Sequence, residues 1–519
     1  MTPHEPQQAF GTISVAAILA ESARRTPDAT ALIVEQEHVS YGDLWDQTRA
    51  YAGALRARGL GPSDPVAVLI PNVADFARVY FAVLAVGGIV VPVHALLKAR
   101  EIEYVLQDSG AKLLICADGL LGEGAKGAAA AGVEVLTVMA AAGSDFPRLE
   151  EEAAAAVPVD TYLPRRPEDT ATILYTSGTT GRPKGALGTH FALVEQTNVL
   201  LTSTFDIRRG DVLFGGLPLF HTFGQTVVLN TGLRAGATIV MLPRFTGARA
   251  LELMVRHRVS VFAGVPTMYV ALLETAKTAA ELPESLRYGI SGGASLPLAV
   301  LHKFQEVFGV DIHEGYGLTE TSPVAAFNQV GVPPRPGTIG QPIWGVDVEI
   351  ARAEVPDRIE LLPRGELGEL VIRGHLLMKG YINRPEATAE AIVDGWFRTG
   401  DLGTKDEDGY LRVVDRKKDM IIRNGYNVYP REVEEILLTH PGVVSAAVYG
   451  VPHDVHGQEV AAAVVLSDGS TTSAKELVDF AASQLAAYKY PRLVRVLPEL
   501  PLGPSGKILK RDLMEHHAG

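Results

Sequence analysis

The sequence predicts an α/β protein in two parts. A large N-terminal domain of parallel sheets flanked by helices, carrying a β-rich subdomain, precedes a small α+β C-terminal domain. Three observations predict this. The chain has 519 residues, and single hydrophobic cores stop growing near roughly 250–300 residues. Apolar runs alternate with helical patterns through most of the chain before Gly337, as buried parallel sheets require. Beyond Asp415 the order of elements changes, which puts the boundary near Arg416–Asp419 and the domains at 1–415 and 416–519.

The expected strands of the large domain are Pro65–Ile70, Ile89–Val93, Leu113–Cys116, Thr172–Tyr175, Ala237–Met241, Val259–Phe262 and Leu286–Ser291. Helices fit between them, among them Tyr41–Arg58, Asp75–Ala85 and Pro297–Phe308. The Ala-rich stretches Ala125–Ala131 and Glu150–Ala156 read as surface helix. Gly337–Arg373, with short apolar runs and Gly/Pro turns, reads as the β-rich part. In the C-terminal domain Arg431–His440 is a helix stopped by Pro441-Gly442. Strands Val443–Tyr449 and Val460–Leu466, helix Ser473–Tyr488 and strand Leu493–Leu497 follow. No period of 20–50 residues signals a solenoid.

Composition narrows the function. Hydrophobic residues make up 47% and charged residues 21%, the balance of a soluble globular protein. The most apolar stretch, Val79–Val93, is shorter than the roughly 18–20 residues of a spanning helix and is broken by Gly87, Gly88 and Pro92, so no transmembrane segment is expected. It reads as a buried helix, a Gly-Gly turn and a buried strand. Met1–Phe10 lacks the pattern of a signal peptide, and a single cysteine, Cys116, suits a reducing cytoplasm and a buried structural role. A net charge of −13 argues against a nucleic-acid partner. From Arg416 onward positive and negative charges balance, so the first 415 residues carry the whole excess. Arg412, Arg416, Lys417, Lys418, Arg423 and Arg431 crowd one short segment, readable as a solvated face or as a basic site for a phosphate-bearing ligand.

The strongest chemical signal is Tyr175-Thr-Ser-Gly-Thr-Thr-Gly-Arg-Pro-Lys-Gly185, between an apolar strand and a helix at about His190. Gly178, Gly181 and Gly185 permit unusual backbone angles. Ser177, Thr179 and Thr180 supply hydroxyls and Lys184 a cation, and successive backbone N–H groups in such a turn make an anion cradle. The Walker A spacing is absent. Glu320, in Tyr316-Gly-Leu-Thr-Glu320, offers the hard oxygen that Mg²⁺ prefers. Asp401, in Trp396-Phe-Arg-Thr-Gly-Asp401, offers a carboxylate able to accept from two hydroxyls. Asp415 reads as a turn residue. No histidines show zinc-ligand spacing.

Tyr175–Gly185 resembles the signature loop of the adenylate-forming superfamily: acyl-CoA synthetases, nonribosomal-peptide adenylation domains and luciferase. Tyr316–Glu320, Trp396–Asp401, Asp415-Arg-Lys-Lys-Asp419, Gly425-Tyr-Asn-Val-Tyr-Pro430 with Glu432, and Pro504-Ser-Gly-Lys507 follow in the family's order, so the resemblance covers nearly the whole chain. It implies ATP, Mg²⁺ and coenzyme A acting on a small-molecule carboxylic acid. The loop residues Thr176, Ser177, Gly178, Thr179, Thr180 and Lys184 then hold phosphates, with Thr319 on the α-phosphate and Glu320 and Thr176 near the metal. Tyr316 stacks on adenine, Gly292, Gly293 and Ala294 line the base and acyl pocket, and Asp401 and Arg416 hold the ribose. Lys507 bridges the attacking carboxylate and the phosphate. Lys418 is the pivot of a mobile C-terminal domain that presents the Gly425 loop to pantetheine. His221 borders the acyl pocket and the thiol channel.

Within the superfamily, Phe220-His-Thr-Phe-Gly224 lacks the Asp that pairs with an amino group in peptide-synthetase domains, which disfavours an amino-acid substrate. The small and apolar residues around Phe262-Ala-Gly-Val-Pro-Thr-Met268 and Gly292–Ala294 suit an alkyl chain, and the pattern looks most like fatty acyl-CoA ligases of medium or long chain. Aryl acids, a dicarboxylate of malonate type paired with Arg287, and transfer to a carrier protein are the alternatives.

Overall fold

The computed structural model describes residues 11–141, 143–176, 182–453, 455–467, 469–503 and 508–515. The large domain holds two mostly parallel sheets. In the six-stranded one, Glu134–Val138, Leu113–Ala117, Pro65–Leu69, Ile89–Pro92 and Thr170–Thr176 run parallel, and Lys184–Thr189 returns antiparallel at the edge. In the nine-stranded one, Ile312–Gly317, Tyr288–Ser291, Val261–Gly264, Val212–Gly215, Thr238–Met241 and Thr30–Val34 form the parallel centre.

One helix explains how the two sheets share a core. Ala74–Ala85 buries every residue except Asp75. An all-round apolar helix has no solvent face to offer. It packs in one cluster with Val66, Val68 and Val90 of the first sheet and Leu32, Leu213 and Ile239 of the second. Asn230 Nδ2 donates to Tyr80 at 3.2 Å, and Asn72 Nδ2 to the Leu217 carbonyl at 2.6 Å. The expected helix, Gly-Gly turn and strand at Val79–Val93 are all present, with Gly87 at φ 78 where L side chains are strained. Among the described residues no helix is long and apolar enough to cross a membrane.

Local signals set the ends of elements. The Ser40 hydroxyl caps Tyr41–Ala57 by accepting from Asp43 N, and Thr189 caps His190–Val199 by accepting from Ala192 N. Two strands start later than the apolar pattern predicts. Val259 N still closes the preceding helix onto Met254 O, and Leu286 N closes a turn onto Pro283 O, so pairing begins at Val261 and Tyr288. Cys116 is buried, and burial pushes its thiol up to about 12.

The β-rich part is antiparallel: Val346–Ala351, Gly368–Gly374, Trp396–Lys405 and Leu411–Arg416 pair in that order. The Arg398–Glu369 ion pair at 2.6 Å is buried between its strands. A fourth sheet is built from Ile421–Arg423, Tyr426–Val428, Val443–His453, Gly457–Leu466 and Leu493–Val496. Helices Pro430–Leu438 and Ala474–Gln484 pack on its apolar face.

His190 yields a test of this packing. It is fully buried, and its Nδ1 accepts from Val15 N at 3.1 Å. Burial, with the Arg165 guanidinium second, pushes it down to about 4. A depressed histidine binds fewer protons folded than unfolded, so its contribution is complete above the unfolded value of about 6.5 and is lost as pH falls from there to about 4. Urea denaturation across that window should show wild type losing on the order of 3 kcal/mol relative to His190→Asn. Parallel pH profiles for the two proteins would contradict the assignment.

Candidate active site

The loop after Thr176 joins a hairpin. Thr170–Thr176 pairs antiparallel with Lys184–Thr189, with Thr176 opposite Lys184. Between the loop and the helix at His190 the fold therefore inserts a strand that the sequence pattern does not announce. Ser177, Gly178, Thr179, Thr180 and Gly181 lie outside the described residues. Gly185 needs no unusual backbone angle; a Cβ there would come within 2.8 Å of Ile173 and Ile382. Close packing, rather than loop geometry, is what excludes a side chain at that position.

A second segment completes the hairpin edge. Leu187 N donates to Gly380 O, Lys379 N to Leu187 O and Ile382 N to Gly185 O. This places the Tyr381 ring 5.1 Å from the Lys184 ammonium. The Tyr381 hydroxyl donates to Glu320 Oε1 at 2.7 Å. Glu320 sits in the 3₁₀ turn Thr319–Thr321 and is 8% exposed. Lys184, Tyr381 and Glu320 thus form one row, joining two stretches that sequence reading singled out through a residue that it did not.

The candidate nucleoside contacts form another unit. Tyr316 is the last residue but one of the strand Ile312–Gly317, and its hydroxyl donates to Asp401 Oδ2 at 2.5 Å. Asp401 pairs in register with Arg416, whose Nε lies 3.5 Å from Asp401 Oδ1. Burial and then the Asp401 carboxylate hold the Tyr316 phenol well above its usual value, so it stays a donor. The strand at Asp401 is held by further bonds: Gly400 N donates to Glu369 Oε1 and Asp401 N to Thr399 Oγ1, both at 3.0 Å.

Beside these units, Gly292, Gly293 and Ala294 follow the strand Tyr288–Ser291. A Cβ on Gly292 would touch the Phe223 ring at 3.4 Å, and Gly293 has φ 80. Gly293 lines a cavity of ≈ 10 Å³ with Leu217, Pro218, His221, Phe223, Gly224 and Val265. The His221 ring is oriented by Phe223 N, which donates to its Nδ1 at 3.2 Å. Ser291 Oγ is buried with no hydrogen-bond partner among the described residues. Ala294 is exposed. Arg287 does not serve this cavity. Its guanidinium binds Asp206 at 2.8 Å and Asp211 at 2.7 Å, so its charge is already met by two carboxylates.

At the start of the fourth sheet several expectations change. Asp415 is not a turn residue. It is a buried strand residue whose carboxylate accepts from Arg416 N at 2.7 Å and from Arg431 N, in the first turn of Pro430–Leu438, at 3.0 Å. Burial pushes its carboxyl above the usual carboxylate range, opposed by those N–H donors. The basic segment is not one patch. Arg423 is buried against Glu459, Arg431 reaches Val413 O and Glu435, and Lys417 reaches Ala353 O. Lys418 lies exposed in the turn after Arg416, and Gly425 is an exposed turn residue with φ 80. Lys507 lies outside the described residues.

Sequence reading missed Tyr381 because it acts through Glu320, 61 residues away, and no local pattern encodes such a partner. The only cue is the polar turn Gly380-Tyr-Ile-Asn-Arg-Pro385 after an apolar stretch.

The chain matches known proteins along most of its length. A family model described as AMP-binding enzyme matches residues 19–382, and one described as AMP-binding enzyme C-terminal domain matches residues 432–507. The chain is 35% identical to a long-chain-fatty-acid–CoA ligase of Bacillus subtilis (strain 168), over 99% of this chain and 96% of that protein. It is 38% identical to a feruloyl-CoA synthase of Amycolatopsis sp, over 95% and 96%. The solved structure of ATP-bound MatB from Rhodopseudomonas palustris superposes with a TM-score of 0.88 at 33% identity, covering 97% of this chain and 99% of that one.

The Tyr381–Glu320 link can be tested on the protein alone. Tyr381→Phe removes one hydrogen bond to a buried carboxylate and should lower stability by about 1–3 kcal/mol in chemical denaturation. A midpoint equal to wild type would show that the bond carries no weight.

Proposed function

The chain belongs to the AMP-binding enzyme family and is an AMP-forming CoA ligase, and on that footing we propose that it activates an apolar carboxylic acid, with medium- or long-chain fatty acids first. In the first step a carboxylate oxygen of the acid bonds to the α-phosphorus of ATP. The bond to pyrophosphate breaks, and pyrophosphate leaves with the electron pair. In the second step the sulfur of coenzyme A bonds to the acyl carbon, AMP leaves with the electron pair, and the thiol proton is released.

Residues 1–415 carry the ATP and acyl sites, and 416–519 form the small domain that pivots at Lys418. Thr176, Ser177, Gly178, Thr179, Thr180 and Lys184 hold the phosphates, with Thr319 on the α-phosphate. Tyr316, Asp401 and Arg416 hold adenosine; the Tyr316–Asp401–Arg416 unit is what supports this reading. His221, Gly292, Gly293 and Ala294 border the acid. Lys507 serves adenylation and the Gly425 turn serves the thiol step. A divalent cation fits Glu320, a hard carboxylate whose Oε1 is already oriented by Tyr381. Mg²⁺ bound there, with Thr176 nearby, would neutralise phosphate charge. The reduced, buried Cys116 suits work in the cytoplasm.

The apolar cavity wall carries the choice of acid. Among the described residues Leu217, Pro218, Phe223 and Val265 line it with no Lys or Arg, and Arg287, the cation weighed for a dicarboxylate, is bound to Asp206 and Asp211. An aryl acid is the second reading, favoured by the Phe223 ring against Gly292 and by the tight cavity.

Pyrophosphate release over a panel of alkyl, aryl and dicarboxylic acids, with and without coenzyme A, should show turnover with apolar acids and AMP formation that needs the thiol. Preference for malonate or oxalate would reject the apolar reading. The lysine assignment has its own test. Lys507→Ala should slow adenylation by a factor on the order of 10²–10³, as loss of one preorganised charge-stabilising donor does. Attack of coenzyme A on supplied acyl-adenylate should be nearly unchanged. Equal loss of both half-reactions would remove Lys507 from a step-specific role.

A further inference from the structure

The turn at Gly425 is held from outside its own hairpin. Ile421–Arg423 and Tyr426–Val428 pair antiparallel with Arg423 opposite Tyr426. Asn424 and Gly425 are therefore the two turn residues, with φ of 52 and 80. Two positive φ values in a two-residue loop mark the hairpin turn that matches strand twist. The tip is open: a Cβ on Gly425 would meet no heavy atom within 4 Å. Strands of three residues supply few bonds of their own, so the tip depends on what else grips it.

Two grips come from the neighbouring strand Gly457–Leu466 and the residue before it. At the base, Arg423 Nε and Nη2 donate to the two Glu459 oxygens at 2.6 and 3.0 Å, and the pair is buried. At the tip, Asn424 N donates to His456 O at 3.0 Å. The His456 Nδ1 and Asn424 Oδ1 atoms are 2.8 Å apart. His453 backs this ring, stacked with centroids 4.4 Å apart, and its Nδ1 accepts from His456 N at 3.2 Å.

His453, His456 and Glu459 offer ligand atoms within 4.8 Å of one another, yet they do not suit a metal ion. Both Glu459 oxygens are committed to Arg423. His453 Nδ1 accepts backbone N–H groups, which puts its proton on Nε2. The cluster acts through hydrogen bonds instead.

We propose that His456 is a positioning residue for the thioester step: its ring holds the Asn424 side chain so that the Gly425 tip keeps the shape it presents to the pantetheine arm of coenzyme A. This rests on the reading that the Gly425 turn serves the thiol step. Adenylation does not use the tip, so the two half-reactions separate a positioning role from a general structural one.

The experiment measures both half-reactions in His456→Leu, which removes the link, and in His456→Asn, which keeps a polar atom near the place of Nδ1. His456→Leu should slow attack of coenzyme A on supplied acyl-adenylate about tenfold, the scale of one hydrogen bond, and leave adenylation unchanged. His456→Asn should recover most of the loss. Asn424→Ala removes the other side of the same bond, so the double variant with His456→Leu should be no slower than the slower single. Equal slowing of both half-reactions, an Asn variant as slow as Leu, or additive single effects would each overturn the proposal. Should His456→Leu fail to fold, Asn424→Ala alone reads the same bond and must show the same split. Gly425→Leu separates the two levels. If it leaves the thioester rate unchanged, the reading of the turn falls and the proposal with it. If it slows that rate while His456→Leu does not, only the role of His456 falls.

Discussion

A carboxylate taken out of water must be given donors, and the site in this protein is organised around that obligation. Glu320 is met by the Tyr381 hydroxyl, Asp401 by Tyr316 and Arg416, and Glu369 by Arg398 and Gly400 N. Asp415 takes two backbone N–H groups, and Glu459 takes Arg423. Apart from Arg416 N on Asp415, each donor comes from another part of the chain, so satisfying the acids draws the hairpin edge, the nine-stranded sheet and the β-rich part together. Glu314 shows what weak compensation does. Its carboxylate accepts from Leu296 N at 3.0 Å, and burial pushes it up to about 7 despite the pull of Arg431.

The same logic separates rigid from adjustable parts. Asp401 sits on a strand paired on both sides and braced by a buried ion pair, which fixes its geometry. Lys418 sits in an exposed turn between two sheets, where few buried contacts resist a change in backbone angles. The Gly425 tip lies between these extremes: exposed, but tied at its base by Arg423 and at its shoulder by His456.

Much of the architecture was legible in the sequence because buried strands and helices leave periodic traces. The run at Val79–Val93 gave its helix, turn and strand from composition and two glycines alone. Ile312–Gly317 left no such trace. Its residues His313, Glu314, Gly315 and Tyr316 are polar or small, and it is a strand because Tyr288–Ser291 and Val324–Phe327 flank it and take its backbone hydrogen bonds. The basic segment near Arg416 shows where such traces stop. Six cations close in sequence part company once alternate residues of strands and turns face different partners.

What the sequence by itself determined was the inventory and its order: the α/β class, the change of architecture after Asp415, and the stretches holding Lys184, Glu320, Asp401 and Gly425. Periodicity and short-range turn chemistry are local properties, so one dimension suffices to read them. Which side chains meet was decided only by the tertiary structure. Tyr381 on Glu320, Arg287 spent on Asp206 and Asp211, Asp415 at the head of Pro430–Leu438, and His456 on Asn424 are all contacts between distant residues. Their energies depend on distance and burial, quantities that exist only once the sheets have packed.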